Sequence, residues 1–301
     1  MGKPPRARAT DFDPQVLRLF DQYVHGTIDR RQFLAGASRF AVGAAGAAGL
    51  LAALSPQFAA AQQVPADDPR LQTSHLQFDS PRGNGRGRGY LVKPANAAGL
   101  LPVVLVVHEN RGLNPHIEDV TRRMALEGFV AFAPDALFTL GGYPGDEDSA
   151  RTLFSKLDQA LTREDFVAAL EAMRGMQGTN GRFGVVGFCY GGAIANLLAT
   201  RVPDLGAAAP FYGSAPAIED VPSIKAELLV VLAANDERVN AIWPPYEEAL
   251  KAAGVTYALL QPPATEHGFH NDTTPRYDED AAAQAWARTI ELFNRTLRTG
   301  A

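Results

Sequence analysis

The chain has 301 residues, 46% of them hydrophobic and 20% charged, an ordinary globular composition that excludes a collagen-like, low-complexity or disulfide-scaffold protein. A formal net charge of -5 offers no basic footprint for DNA or RNA, so no nucleic-acid partner is expected. The single cysteine, Cys189, forbids an internal disulfide and a cysteine-rich zinc site.

In chain order, the first feature is helical spacing between Asp11 and Gly26, where Val16, Leu17, Leu19, Phe20, Tyr23 and Val24 line one face. This predicts a short helix, to which the sequence assigns no function. Next comes Asp29-Arg30-Arg31-Gln32-Phe33-Leu34, then an Ala/Gly/Leu/Val stretch from Phe40 to Leu54, then Ala59-Ala60-Ala61. Twin arginine, aromatic-Leu pair, weakly apolar core and small terminal residues resemble a bacterial twin-arginine export signal. That resemblance implies a leader over residues 1–61 cut after Ala61, the twin-arginine translocase as a partner, and a periplasmic or secreted product. The alternatives are an uncleaved membrane anchor and a buried helix. An anchor wants about 20 strongly apolar residues, more than Ala and Gly supply; once cut, the product has no stable membrane association.

Residues 62–88 read as a polar, Pro-containing linker and an N-terminal hairpin. A Gly/Arg-rich turn at Pro81 to Gly89 separates extended stretches near Leu76-Phe78 and Tyr90-Val92. Val103-Val104-Leu105-Val106-Val107 is a continuous β-branched run, as in a strand buried on both faces. A helix at Ile117–Leu126 and a strand at Phe129–Phe132 follow. Leu153 to Met176 holds one or two helices, broken near Thr162, where Thr-Arg-Glu-Asp resembles an N-cap. Then come strand Phe183–Val186, helix Gly192–Thr200, strands Ala207–Phe211 and Leu228–Leu232, helix Ile242–Ala253, strand Tyr257–Leu260 and a helix from Ala281 to Leu297. This alternation predicts one α/β domain over residues 89–298, a mostly parallel sheet with helices on both faces.

The chemistry sits on the connections. Gly187-Phe188-Cys189-Tyr190-Gly191 stands between a strand and a helix in the pattern of a nucleophile elbow. Glycines two positions either side of the nucleophile let strand and helix approach, and the helix N-terminus lowers the thiol pKa. The competing reading is a small buried core cysteine. A nucleophile needs a base, and the base an orienting acid. Asp236, after the strand at Leu228, is the favoured acid, with Glu237 its rival. Either His267 or His270 suits the base. His267 is preferred, being nearer the strand end and followed by Gly268. A zinc pair from the two histidines lacks a third ligand at motif spacing, so no metal is expected. The loop His108-Glu109-Asn110-Arg111-Gly112 ends the Val103 strand, where hydrolases of this kind place the second oxyanion amide. Glu109 either caps a helix, pairs with Arg111 or accepts the thiol proton.

From Gly89 to Leu297 these residues resemble the dienelactone hydrolase family of α/β-hydrolases. The resemblance rests on His108-Glu109-Asn110-Arg111-Gly112, Phe129-Val130-Ala131-Phe132-Ala133-Pro134-Asp135, the Cys189 elbow with its double glycine, Asp236 and His267-Gly268-Phe269. It implies a Cys189-Asp236-His267 triad that hydrolyses an ester or lactone bond through a thioester without a cofactor. It also implies that Glu109 holds the resting thiol and that the amides of Asn110 and Tyr190 form the oxyanion hole. The chain departs from the family at Asn271, where an arginine four residues after the histidine would bind a substrate carboxylate. Arg111, Arg151, Arg238 and Arg276 are the substitutes, and Tyr143, Tyr212 and Trp243 stand where they would line a pocket or simply pack. Two other classes compete: a thiol redox or peroxide-responsive protein, without a resolving cysteine here, and a hydrolase fold kept only for binding.

Overall fold

The computed structural model describes residues 7–41 and 46–298. The N-terminal segment forms four short helices, α1 (Pro14–Val24), α2 (Arg30–Ala37), α3 (Gly46–Leu54) and α4 (Phe58–Ala61). The capping residues explain the first two. Asp13 accepts from the Gln15 amide ahead of Pro14, and Asp29 and Gln32 form a reciprocal capping box. Val16, Leu17, Phe20 and Tyr23 of α1 pack with Phe33, Ala37, Leu51 and Leu54 into a small core of their own. Phe33, inside the twin-arginine run, is fully buried there. Among the described residues, no helix is long and apolar enough to cross a membrane.

The body is an eight-stranded sheet in the order β1-β2-β4-β3-β5-β6-β7-β8. A hairpin of β1 (Leu71–Ser80) and β2 (Gly85–Pro94) joins β4 antiparallel, and every other pair is parallel. The hairpin turn is shorter than the sequence suggested: Arg86 and Arg88 already lie in β2, paired with Asp79 and Gln77. The parallel strands are β3 (Leu101–Val107), β4 (Val130–Pro134), β5 (Thr179–Phe188), β6 (Leu205–Phe211), β7 (Glu227–Val231) and β8 (Tyr257–Leu260).

The β3 run shows why the sheet needs two layers of helix. Val104 and Val106 face one core, packed by α5 (Pro115–Leu126) and α11 (Glu279–Leu297). Val103, Leu105 and Val107 face the other, packed by α7 (Gln159–Arg174), α8 (Tyr190–Arg201) and α10 (Trp243–Ala253). Each such side chain contributes roughly 1.5–3 kcal/mol on burial. Short α6 (Glu147–Phe154) and α9 (Glu237–Asn240) lie on connections. The break expected near Thr162 falls earlier. Asp158 caps α7 by accepting from the Ala160 and Leu161 amides, and Thr162 is buried inside the helix with its hydroxyl on the Asp158 carbonyl. Asp158, one turn before Thr162, takes the cap because it satisfies two orphan amides at once.

The junction after α4 is stitched to the body. The Gln63 and Val64 amides donate to Asp119, and Arg122 donates to the Val64 carbonyl at 2.8 Å. Upstream, the Gln57 amide donates to the Thr273 carbonyl at 2.8 Å.

Candidate active site

Cys189 ends β5 and opens α8 with φ 55°, a left-handed conformation that a non-glycine residue holds only under constraint. The constraint is steric. A Cβ on Gly187 would sit 1.9 Å from the Gly191 carbonyl oxygen, and one on Gly191 would sit 2.2 Å from that of Val107. Glycine at both places lets β5, β3 and α8 close around the turn. The Cys189 amide donates to the Phe211 carbonyl at 3.0 Å, which ties the elbow to β6. Tyr190 is the first residue of α8, so its amide has no intrahelical acceptor.

Asp236 and His267 meet as the sequence order suggests. Asp236 follows β7 and caps α9, and His267 lies on the loop after β8, the parallel neighbour of β7. His267 Nδ1 stands 2.5 Å from Asp236 Oδ2, and its Nε2 is buried without a hydrogen-bond partner. The Tyr212 ring, 5.0 Å away, walls the imidazole. Burial alone would raise Asp236; the hydrogen bond and charge of His267 outweigh it and hold the carboxyl below its usual range. Burial opposes protonation of His267, but the Cys189 charge and the Asp236 hydrogen bond raise it on balance.

His270 is directed elsewhere. Its ring stacks on Phe188 at 4.9 Å and on Trp286 at 5.8 Å, and burial with nearby His116 and Arg123 lowers its pKa to about 3. It is a packed, neutral histidine. Trp243 likewise packs against Tyr246 and Tyr257.

On the other side of the elbow, Glu109 accepts from Asn271 at 2.9 Å. Cys189 makes its hydrogen bond elsewhere: its Sγ lies 3.5 Å from Nε2 of His25, the residue that ends α1. The donor atoms of His25, Cys189 and His267 all lie within 4.8 Å of one another. Burial would raise the thiol pKa; the charge of His267 and the hydrogen bond to His25 reverse this and bring it to about 6. The thiol contact that the resemblance assigns to Glu109 is made here by an imidazole from the N-terminal segment, while Glu109 accepts from Asn271.

All four candidate arginines touch the end of α1. Arg111 donates to the Val24 carbonyl at 3.2 Å and Arg151 to that of Tyr23 at 2.9 Å. Arg238 stands 3.2 Å from His25 Nε2, and Arg276 3.5 Å from Asp21. Asn110 also donates to the Val24 carbonyl, at 3.0 Å. A cavity of about 700 Å³ runs between α1 and the catalytic loops, with His25, Asp236, Arg238, His267 and Arg276 on its walls. A second, of about 360 Å³, holds Glu109, Asn110, Arg111, Tyr143 and Asn271. Tyr143 meets Phe58 edge-on there and donates to Glu147, whereas Tyr212 is buried beneath His267.

An elbow nucleophile on a mostly parallel sheet, with an acid and a histidine on the following strand-end loops, defines an α/β-hydrolase. The dienelactone hydrolase family model matches residues 88–297, and a separate YqhI-like family model matches residues 3–43. The chain is 32% identical over 219 residues to a Salmonella typhi protein provisionally named a carboxymethylenebutenolidase, covering 68% of this chain and 81% of that one. It is 52% identical over 105 residues to YghX of Escherichia coli K12, provisionally named a hydrolase fragment, covering 35% of this chain and 90% of that one. The crystal structure of a Klebsiella pneumoniae protein, provisionally a dienelactone hydrolase, matches with a TM-score of 0.64 at 28% identity, over 74% of this chain and 99% of that one. The chain belongs to the dienelactone hydrolase family and is a carboxylic ester hydrolase.

His25 and Asp21 are the site residues that sequence reasoning missed. Their signal was faint but present: an amphipathic helix with no reason to exist in a leader, carrying an acid and a histidine four positions apart.

Proposed function

We propose that the enzyme cleaves a lactone or small carboxylic ester through a Cys189-Asp236-His267 triad and a thioester acyl-enzyme. The Cys189 thiolate attacks the carbonyl carbon, and the amides of Asn110 and Tyr190 receive the developing oxyanion, each such donor contributing about 3 kcal/mol. Collapse breaks the C–O bond, and the His267 imidazolium gives its Nε2 proton to the leaving alkoxide. Neutral His267 then takes a proton from water, the hydroxide attacks the thioester, and the thiolate departs with the acid product released. Asp236 keeps the second imidazole nitrogen protonated throughout.

The observation that carries this reading is the Asp236–His267 pair, with Nε2 unpartnered beside a sulfur on a left-handed turn. The places of Arg111 and Tyr143 on the smaller cavity support a role in substrate binding, whereas Tyr212 is buried under His267, lines neither cavity and serves as packing. Mixing the full chain with p-nitrophenyl acetate is expected to give a burst of chromophore and an acetyl group on Cys189 by mass spectrometry. Cys189→Ala is expected to lose the burst and turnover while keeping its fold. Turnover by the alanine variant as fast as the parent's would overturn the assignment.

Export stays a proposal supported by Arg30-Arg31-Gln32-Phe33-Leu34 and the small residues at Ala59–Ala61. Its test is the N-terminus of periplasmic or secreted material, which must begin at Gln62.

A further inference from the structure

We propose that Asp21 and His25 form a second imidazole–carboxylate dyad of the active site, in which His25 Nε2 accepts the Cys189 thiol proton and holds the nucleophile as a thiolate. The proposal deepens the hydrolase reading by adding a catalytic residue from a segment outside the hydrolase domain, and it applies to the chain with that segment attached.

Geometry fixes which nitrogen does what. His25 Nδ1 lies 2.8 Å from the Asp21 backbone carbonyl, which takes its proton, and 3.2 Å from Asp21 Oδ1, whose charge stands beside the ring. The lone pair on Nε2 then faces two groups, Sγ at 3.5 Å and the Arg238 guanidinium, which donates to it at 3.2 Å and must yield when the thiol proton arrives. Proton transfer breaks the S–H bond and forms an N–H bond, giving a thiolate–imidazolium pair with nothing else consumed.

His25 also follows the last turn of α1, where unpaired carbonyls favour a cation. The groups around the pair act in both directions. Asp21 and the thiolate favour the imidazolium. Arg238, at 3.2 Å from Nε2, opposes it, and Arg276 draws on Asp21 from 3.5 Å. The His267 ring stands edge-on to that of His25 at 4.8 Å, with Asp236 behind it. On balance the attraction wins. Burial alone would lower His25, but the Asp21 and Cys189 contacts raise it to about 10.

Two dyads then divide the work. His267 carries the proton that goes to the leaving alkoxide and takes one from water. His25 keeps its charge throughout, opposite the sulfur when it attacks and again when it departs from the thioester. A family model spanning residues 3–43 marks the segment carrying this dyad as a recurring unit.

The test reads the thiol itself. Alkylation of the full chain by iodoacetamide, followed by mass spectrometry at Cys189 across pH 5 to 9, is expected to have its midpoint at about 6. His25→Gln is expected to raise that midpoint by about one unit or more, slowing alkylation at pH 6.5 several-fold, and Asp21→Asn to raise it by less. An unmoved midpoint in a folded His25→Gln overturns the proposal. Should that variant fail to fold, nitrogen-15 spectra of the unaltered chain decide: an imidazolium at His25 at pH 7.5 supports the dyad, and a neutral ring overturns it. A low midpoint without ester turnover would sink the hydrolase reading alone, and Cys189-dependent turnover with an unmoved midpoint would sink the dyad alone.

Discussion

Two imidazoles face one sulfur from opposite origins. His267 and Asp236 belong to loops after adjacent parallel strands, so the sheet that builds the core also sets their separation. His25 and Asp21 sit one turn apart at the end of α1, in a segment whose core, among the described residues, is eight buried side chains of α1, α2 and α3, with polar contacts from the body to α1. The difference teaches where rigidity comes from. One pair is fixed by the fold's largest cooperative unit, the other by a small cluster that can loosen by itself.

The strongest way to break the comparison is to remove the body imidazole. His267→Ala is expected to lower turnover of p-nitrophenyl acetate about 10³- to 10⁴-fold, because the alkoxide and the attacking water lose their proton carrier. The Cys189 thiol should still alkylate in this variant, since His25 remains beside it. Loss of turnover and loss of alkylation together would mean that the two imidazoles do not have separate duties.

A second variant sharpens the mechanical contrast. Phe33 is fully buried in the N-terminal cluster, against Phe20 at 6.2 Å and Tyr23 at 5.6 Å. Phe33→Ala is expected to destabilise that cluster by about 3–5 kcal/mol. Hydrogen exchange should accelerate across α1 and α2 while the β3 and β5 amides keep their protection. Equal acceleration in both regions would show a single cooperative unit instead.

The same contrast explains what the sequence made legible. The β3 run and the elbow could be read because each requirement is local, and the meeting of Asp236 with His267 because both follow adjacent parallel strands. A strand covered on both faces must be apolar throughout, and Gly187 and Gly191 admit no Cβ. Thr162 has the residue type of a cap, and only the packing of α7 shows it buried inside a helix that Asp158 caps. His25 had only the unexplained amphipathic helix to signal it, and nothing to signal its target. Its partner lies 164 positions away, and no local pattern announces that an α1 end will land on the elbow. Glu109 stood out as a carboxylate at a strand end, but its partner, the Asn271 amide, lies 162 positions away and no local pattern names it.

The smallest expected effect bears on the arginine pair. Arg30 reaches Asp148 at 2.8 Å with both side chains well exposed, 54% and 40%. An ion pair so open to solvent contributes at most about 1 kcal/mol, so Arg30→Gln should barely change thermal unfolding or esterase activity of the full chain. The Tyr23 hydroxyl, which also donates to Asp148, keeps that carboxylate partnered. Export recognition makes the opposite demand, since it reads the arginines themselves. If Arg30→Gln leaves the purified enzyme intact yet stops its appearance outside the cytoplasm, the arginine serves as an address. If melting temperature and activity fall sharply instead, the arginine is structural, part of the packing of the N-terminal segment. Cleavage after Ala61 would remove His25 along with the arginines, so material that begins at Gln62 should alkylate at Cys189 with a higher midpoint than the full chain.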